Sequence, residues 1–144
     1  MKNLALTLSL LIASFGVVQA QMPERVVAPA GAELYFISPT DGATVKGPVV
    51  VRFGLKGMGV APAGIKLPDT GHHHLFVDTA LPTDMNKPIG VVENKIIHYG
   101  LGQTETTLTL PPGKHTLQLL LADFLHVPHA SPLVSKLITI TVVP

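Results

Sequence analysis

Apolar and polar residues alternate along this chain in short runs bounded by turn-forming residues. The runs are Glu33 to Ser38, Val49 to Leu55, His73 to Thr79, Lys95 to His98, Thr104 to Leu110, Lys114 to Ala122 and Leu137 to Val143. They are rich in β-branched and apolar side chains that suit a pleated surface better than a helix. Pro39-Thr40-Asp41-Gly42, Gly57-Met58-Gly59 and Pro111-Pro112-Gly113 separate them as turns. A two-residue period puts alternate side chains on one face, so Leu117, Leu119 and Leu121 point inward together. No window sustains helical spacing, and the apolar stretch Leu117 to Ala122 follows Pro-Pro-Gly at strand length. About seven short strands in roughly 120 residues predict an all-β fold, an immunoglobulin-like β-sandwich.

The first twenty residues do not belong to that pattern. Lys2 is a basic start, Leu4 to Val18 are mostly apolar, and Val18-Gln19-Ala20 has the small-residue character of a cleavage site. We expect a signal peptide over 1–20, a flexible leader over 21–32 and one domain over 33–144. The expected product is periplasmic or secreted, with no membrane insertion once the signal is cleaved.

Composition narrows the partners. From Gln21 to Pro144 nine basic residues balance nine acidic ones, which gives no electrostatic case for nucleic acid. The chain has no cysteine, so an exported form rests on its hydrophobic core rather than on disulfides. It does have seven histidines. Imidazole is a good ligand for borderline metals and titrates near neutral pH. Clustered His without Cys points to copper or zinc held by nitrogen, with no organic cofactor.

The candidate ligands are His72, His74, His98, His126 and His129. In a strand His72 and His74 share a face about 6.5–7 Å apart, while His73 goes with Leu75 and Val77. With Leu75 and Val77 in the core, His72 and His74 look outward. The opposite register, with His74 and Phe76 inward, is left open by the pattern. His126 and His129, with Pro128 between, sit in a loop expected to present both rings to one side. That loop and the start of the His72 strand fall at the same end of a sandwich, so His72, His74, His126 and His129 are expected to converge. His98 precedes a Gly-rich turn and suits either a ligand or a loop cap. His115 alternates with Leu117 and Leu119, so it is expected to face inward at the strand's end and bond to backbone.

Four further stretches carry a resemblance to a family. They are Gly71-His72-His73-His74-Leu75, His98-Tyr99-Gly100-Leu101-Gly102-Gln103-Thr104-Glu105, Pro111-Pro112-Gly113-Lys114-His115-Thr116-Leu117-Gln118-Leu119 and His126-Val127-Pro128-His129. With the Phe36 to Val45 opening, which is similar to bacterial immunoglobulin-like modules, they resemble the small exported family called domain of unknown function 4399. The resemblance runs from about Leu34 onward and implies a one-domain exported β protein without an established activity. It also implies a histidine at the position of Phe124, in a pattern like Asp-His-x-His, so this chain has one potential ligand fewer.

No Gly-x-Ser-x-Gly, cysteine nucleophile or phosphate-binding loop is present. Asp69, Asp78, Glu105 and Asp123 are not placed beside the histidines by spacing. The expectation is therefore not an enzyme but a metal buffer or carrier, favouring Cu(II) over Zn(II). The alternative is a structural or adhesive module whose histidines only shape its loops, and a metal-assisted hydrolase stands third.

Overall fold

The computed structural model describes residues Glu24 to Pro144. The expected signal peptide and the first residues of the expected leader lie outside that range. Nine strands are described: β1 (Glu33–Ser38), β2 (Thr44–Lys46), β3 (Val49–Lys56), β4 (Gly59–Val60), β5 (Thr70–Val77), β6 (Ile96–His98), β7 (Glu105–Leu108), β8 (Gly113–Ala122) and β9 (Ile138–Val143). No helix occurs among the described residues. The described residues are all-β, as the alternation predicts, with nine strands among them where about seven were expected. The two extra strands, β2 and β4, are three and two residues long, too short to alternate visibly. Both form by parallel pairing with distant strands, β2 on β9 and β4 on β5.

The strands make two sheets. One has the order β1-β3-β7, and the other runs β2-β9-β8-β5, with β4 and β6 both paired to β5. Their facing sides share one core. Leu34, Val49, Val51 and Phe53 come from the smaller sheet, while Leu75, Val77, Leu117, Leu119, Leu121 and Ile140 come from the larger. These are the inward positions of a period-2 pattern.

β5 is the strand on which the site depends. It pairs antiparallel with β8, His72 opposite Ala122 and Leu75 opposite Leu119. On one face His73, Leu75 and Val77 enter the shared core, and the His73 ring rests 5.0 Å from Phe53. On the other face Phe76 packs with Leu120, Ala122 and Ile89 in a second, smaller core. Leu81, Met85 and Val134 close over that second face from the connections that follow β5 and β8. The two connections are joined where the Ile89 N–H donates to the His126 carbonyl at 2.8 Å. His72 and His74 therefore do face away from the main core, yet both are fully buried.

The part of the expected leader that is described is tied to the domain. Arg25 Nε donates to the Pro128 carbonyl at 2.9 Å, the Ala130 N–H donates to the Val26 carbonyl at 2.8 Å, and Ala28 is buried in the main core. Its lack of alternation reflects pairing through single contacts rather than through a ladder.

His115 faces inward at the start of β8. Its Nε2 lies 2.9 Å from the Pro111 carbonyl, and Nδ1 lies 2.7 Å from Asp78 Oδ2. Donation from both nitrogens requires the imidazolium, and the Asp78 hydrogen bond raises the His115 pKa. Asp78 also accepts from the Thr116 N–H at 2.8 Å. This pair pins the end of β5 to β8.

Two outcomes test the packing. Leu119→Ala is expected to cost about 2–5 kcal/mol in urea unfolding, as for a fully buried leucine that leaves a cavity. A loss under about 1 kcal/mol would place Leu119 on the wrong face. His115→Ala is expected to cost about 1.5–3 kcal/mol through its charged hydrogen bond. Because the folded pKa is raised, this contribution is complete below pH 6.5 and fades as pH climbs through the folded pKa. Unfolding curves at acid and alkaline pH should show the variant and wild type drawing together as pH rises.

Candidate metal centre

Strand register brings the first three rings together. His72 and His74 are two residues apart on the covered face of β5, with ring centroids 4.9 Å apart. β6 pairs with β5 so that His98 stands directly opposite His74. Directly opposite residues project to the same face. The His98 ring accordingly stacks on His74 at 5.0 Å and meets His72 edge-on at the same distance. Gly100 makes this pose possible. A Cβ there would lie 2.6 Å from His98 Nε2, so only glycine lets the ring fold back over the chain.

The fourth ring arrives from a hairpin. After Ala122 the chain turns at Asp123, whose Oδ1 accepts from the Leu125 N–H at 2.8 Å and the Val127 N–H at 3.0 Å. The His126 N–H closes the turn on the Asp123 carbonyl at 3.0 Å. Ala122, opposite His72, is small enough to leave room above that ring. His126 then lies 4.9 Å from His72 and 4.7 Å from His98, but 6.1 Å from His74. Its φ of 66° is left-handed, an uncommon region in which Gly leads and Asn, Asp and His are the enriched alternatives. Strain of this kind costs about 1–3 kcal/mol and persists where surrounding contacts hold it.

His72, His98 and His126 each offer a ligand nitrogen, and these atoms lie within 4.8 Å of one another. Three nitrogens on one Zn or Cu ion are about 3.3–3.6 Å apart, given metal–nitrogen bonds near 2.0–2.1 Å. Small ring rotations span the difference. No Asp or Glu oxygen belongs to this group among the described residues. His74 forms its floor, outside the group of three.

Burial keeps His72, His74 and His98 uncharged. Burial, followed by the neighbouring His126 and His98, lowers the His72 pKa to about 4. Burial, then His72 and His98, lowers His74 to about 2. His98 is also lowered, chiefly by burial and then by His126. At neutral pH these rings are neutral and carry free lone pairs. Both nitrogens of His72, both of His74 and Nε2 of His98 are buried without a hydrogen-bond partner. Each neutral ring must also bear one N–H, so this face holds several unpaired donors and acceptors at about 1–3 kcal/mol apiece.

The remaining histidines lie elsewhere. The structure does not bring His129 into the group, although His126 and His129 were expected to act as a pair. Pro128 bridges to Ala122 and so shares the His72 side, which sends the next residue the other way. His129 is fully buried near the Thr70 and Leu121 backbone, and burial is the main cause of its lowered pKa. His98, read from sequence as either ligand or cap, takes the place expected of His129. His73 belongs to the main core, and burial lowers its pKa to about 4. Phe124, where a further histidine was implied by the family pattern, points its ring toward Lys66, with Nζ 5.4 Å from the centroid.

Gly100 and Asp123 were not singled out as site residues by the sequence reading. The signals for them were present as Gly100 two residues after His98 and Asp123 three residues before His126, a spacing at which the carboxylate can cap a turn.

No curated protein matches this sequence. Among solved structures, the X-ray structure of the endo-beta-1,4-mannanase from Thermotoga petrophila is similar at 19% identity with a TM-score of 0.47. The similarity covers 78% of this chain and 20% of that one, so the chain spans about a fifth of the mannanase's length. Residues 51–143, which contain every histidine described above, match the family described as Domain of unknown function (DUF4399), and the chain belongs to that family.

Proposed function

We propose that this protein is an exported, immunoglobulin-like β-sandwich that binds a transition metal, copper or zinc, as a buffer or carrier. His72, His98 and His126 are the ligands of this reading, and His74 supports them from below. The observation that carries it is that His72, His98 and His126 offer ligand nitrogens within 4.8 Å of one another, with both His72 nitrogens and His98 Nε2 buried and unpartnered. His115 spends its nitrogens on Pro111 and Asp78, whereas the buried nitrogens of His73 and His129 are also unpartnered, so the convergence of three rings sets His72, His98 and His126 apart. A metal would take up lone pairs that the fold leaves free. The absence of a carboxylate from the group favours holding an ion over using it for hydrolysis, which calls for a nearby base. Export rests on the order of basic, apolar and small residues in the first twenty positions.

Isothermal titration of the tag-free chain from Gln21 with Cu(II) and Zn(II) tests this reading. The expected result is one ion bound with Kd below about 1 µM, equivalent to about −8 kcal/mol. Replacing His72, His98 and His126 together by Ala should abolish binding, while His129→Ala should retain it. Gly100→Ala should weaken binding with every histidine still present. His126→Gly should lower affinity yet leave the metal-free fold as stable or more stable by about 1 kcal/mol, since glycine adopts the left-handed turn without strain. Wild-type Kd weaker than micromolar, or a triple variant that binds as well as wild type, would return the histidines to a loop-shaping role.

Acid should act on the metal-free fold in a defined direction. His72 and His73 have folded pKa values near 4 and ordinary unfolded values near 6.5, so the unfolded chain binds protons first. Stability contributed by these neutral rings is complete above pH 6.5 and is lost as pH falls toward 4. The loss approaches roughly 1.4 kcal/mol per pH unit per ring. Denaturant midpoints between pH 7 and 4.5 should fall for wild type and fall less for His72→Ala measured over the same range.

A further inference from the structure

We propose that the ion suited to this site is monovalent copper, Cu(I), held by His72, His98 and His126. The proposal deepens the metal-binding reading above and rests on it. Imidazole ligands bring no negative charge, and no carboxylate oxygen belongs to the group among the described residues. Asp123, on the same hairpin as His126, spends its Oδ1 on the N–H groups of Leu125 and Val127. A cation lies beyond it, since Arg25 donates to the carbonyls of Pro128 and His129. The floor is no better for a high charge. It consists of fully buried His74 beside the apolar cluster of Phe76, Leu120 and Ala122.

His72 is fully buried while His98 and His126 are half-buried, so an ion there loses part of its water, at a cost that grows with the square of its charge and is roughly four times larger for a divalent ion. Sites for divalent ions usually offset that cost with an anionic ligand or with carboxylates bonded to the far nitrogens of the ligating histidines. His72 has neither kind of partner on either nitrogen. Cu(I) has a filled d shell, imposes no fixed geometry and accepts three ligands. A set of three imidazole nitrogens with no anionic ligand therefore matches its charge and its coordination number.

Competition titrations on the tag-free chain test this, with bicinchoninate against Cu(I) under anaerobic conditions and nitrilotriacetate against Cu(II) and Zn(II). The expected order is Cu(I) first, by about tenfold or more over either divalent ion. Cu(II) or Zn(II) bound as tightly as Cu(I) would overturn the proposal and leave the metal site standing. Binding of none of the three would remove both. His126→Asp supplies the missing negative charge at a left-handed position that Asp tolerates. This variant should bind Zn(II) more tightly and Cu(I) less tightly than wild type. An unchanged order of affinities in it would overturn the charge argument and the proposal with it.

Discussion

The register between β5 and β8 is the constraint from which the rest of the molecule follows. With Leu75 opposite Leu119, His73, Leu75 and Val77 face the shared core and His72, His74 and Phe76 face the other way. A slip of one residue would exchange the two sets. It would send Phe76 and two imidazoles into the space between the sheets and move Leu75 and Val77 to the opposite face. The wholly apolar partners Leu117, Leu119 and Leu121 hold the register against that exchange, and the Asp78–His115 pair locks its end.

Because β5 lies inside its sheet, the face away from the main core still has to be covered. The connections after β5 and β8 do this with Leu81, Met85, Ile89 and Val134 around Phe76. The same covering removes water from His72 and His74. Burial and mutual proximity then act together, holding the rings neutral and leaving their nitrogens without partners. A polar cluster placed under such a cover is costly unless something satisfies it. The left-handed backbone of His126 points the same way, since a conformation uncommon outside glycine is kept where its ring reaches His72 and His98.

Much of the architecture was legible in the residues. The bounds of β1 matched the alternation, and six other strands appeared within a few residues of their expected positions. The inward face of β8, the corner role of His115 and the shared face of His72 and His74 all follow from a period of two, a local property that needs no partner strand. Strands β2 and β4 were not legible, because two or three residues cannot display a period and their pairing partners are remote.

The ligand set divides along the same line. That imidazoles cluster, and that His72 and His74 share a face, is determined by sequence alone through the geometry of an extended chain. Which other rings join them was decided only by tertiary structure. His98 enters because β6 pairs in one register with β5, and sequence spacing carries no information about that register. His129 is excluded because the bridge of Pro128 to Ala122 turns the next side chain to the opposite face. Burial of His72 and His74 was also a tertiary outcome: β5 alone offers an outward face, and only the folding of two distant connections over it withholds those two rings from water.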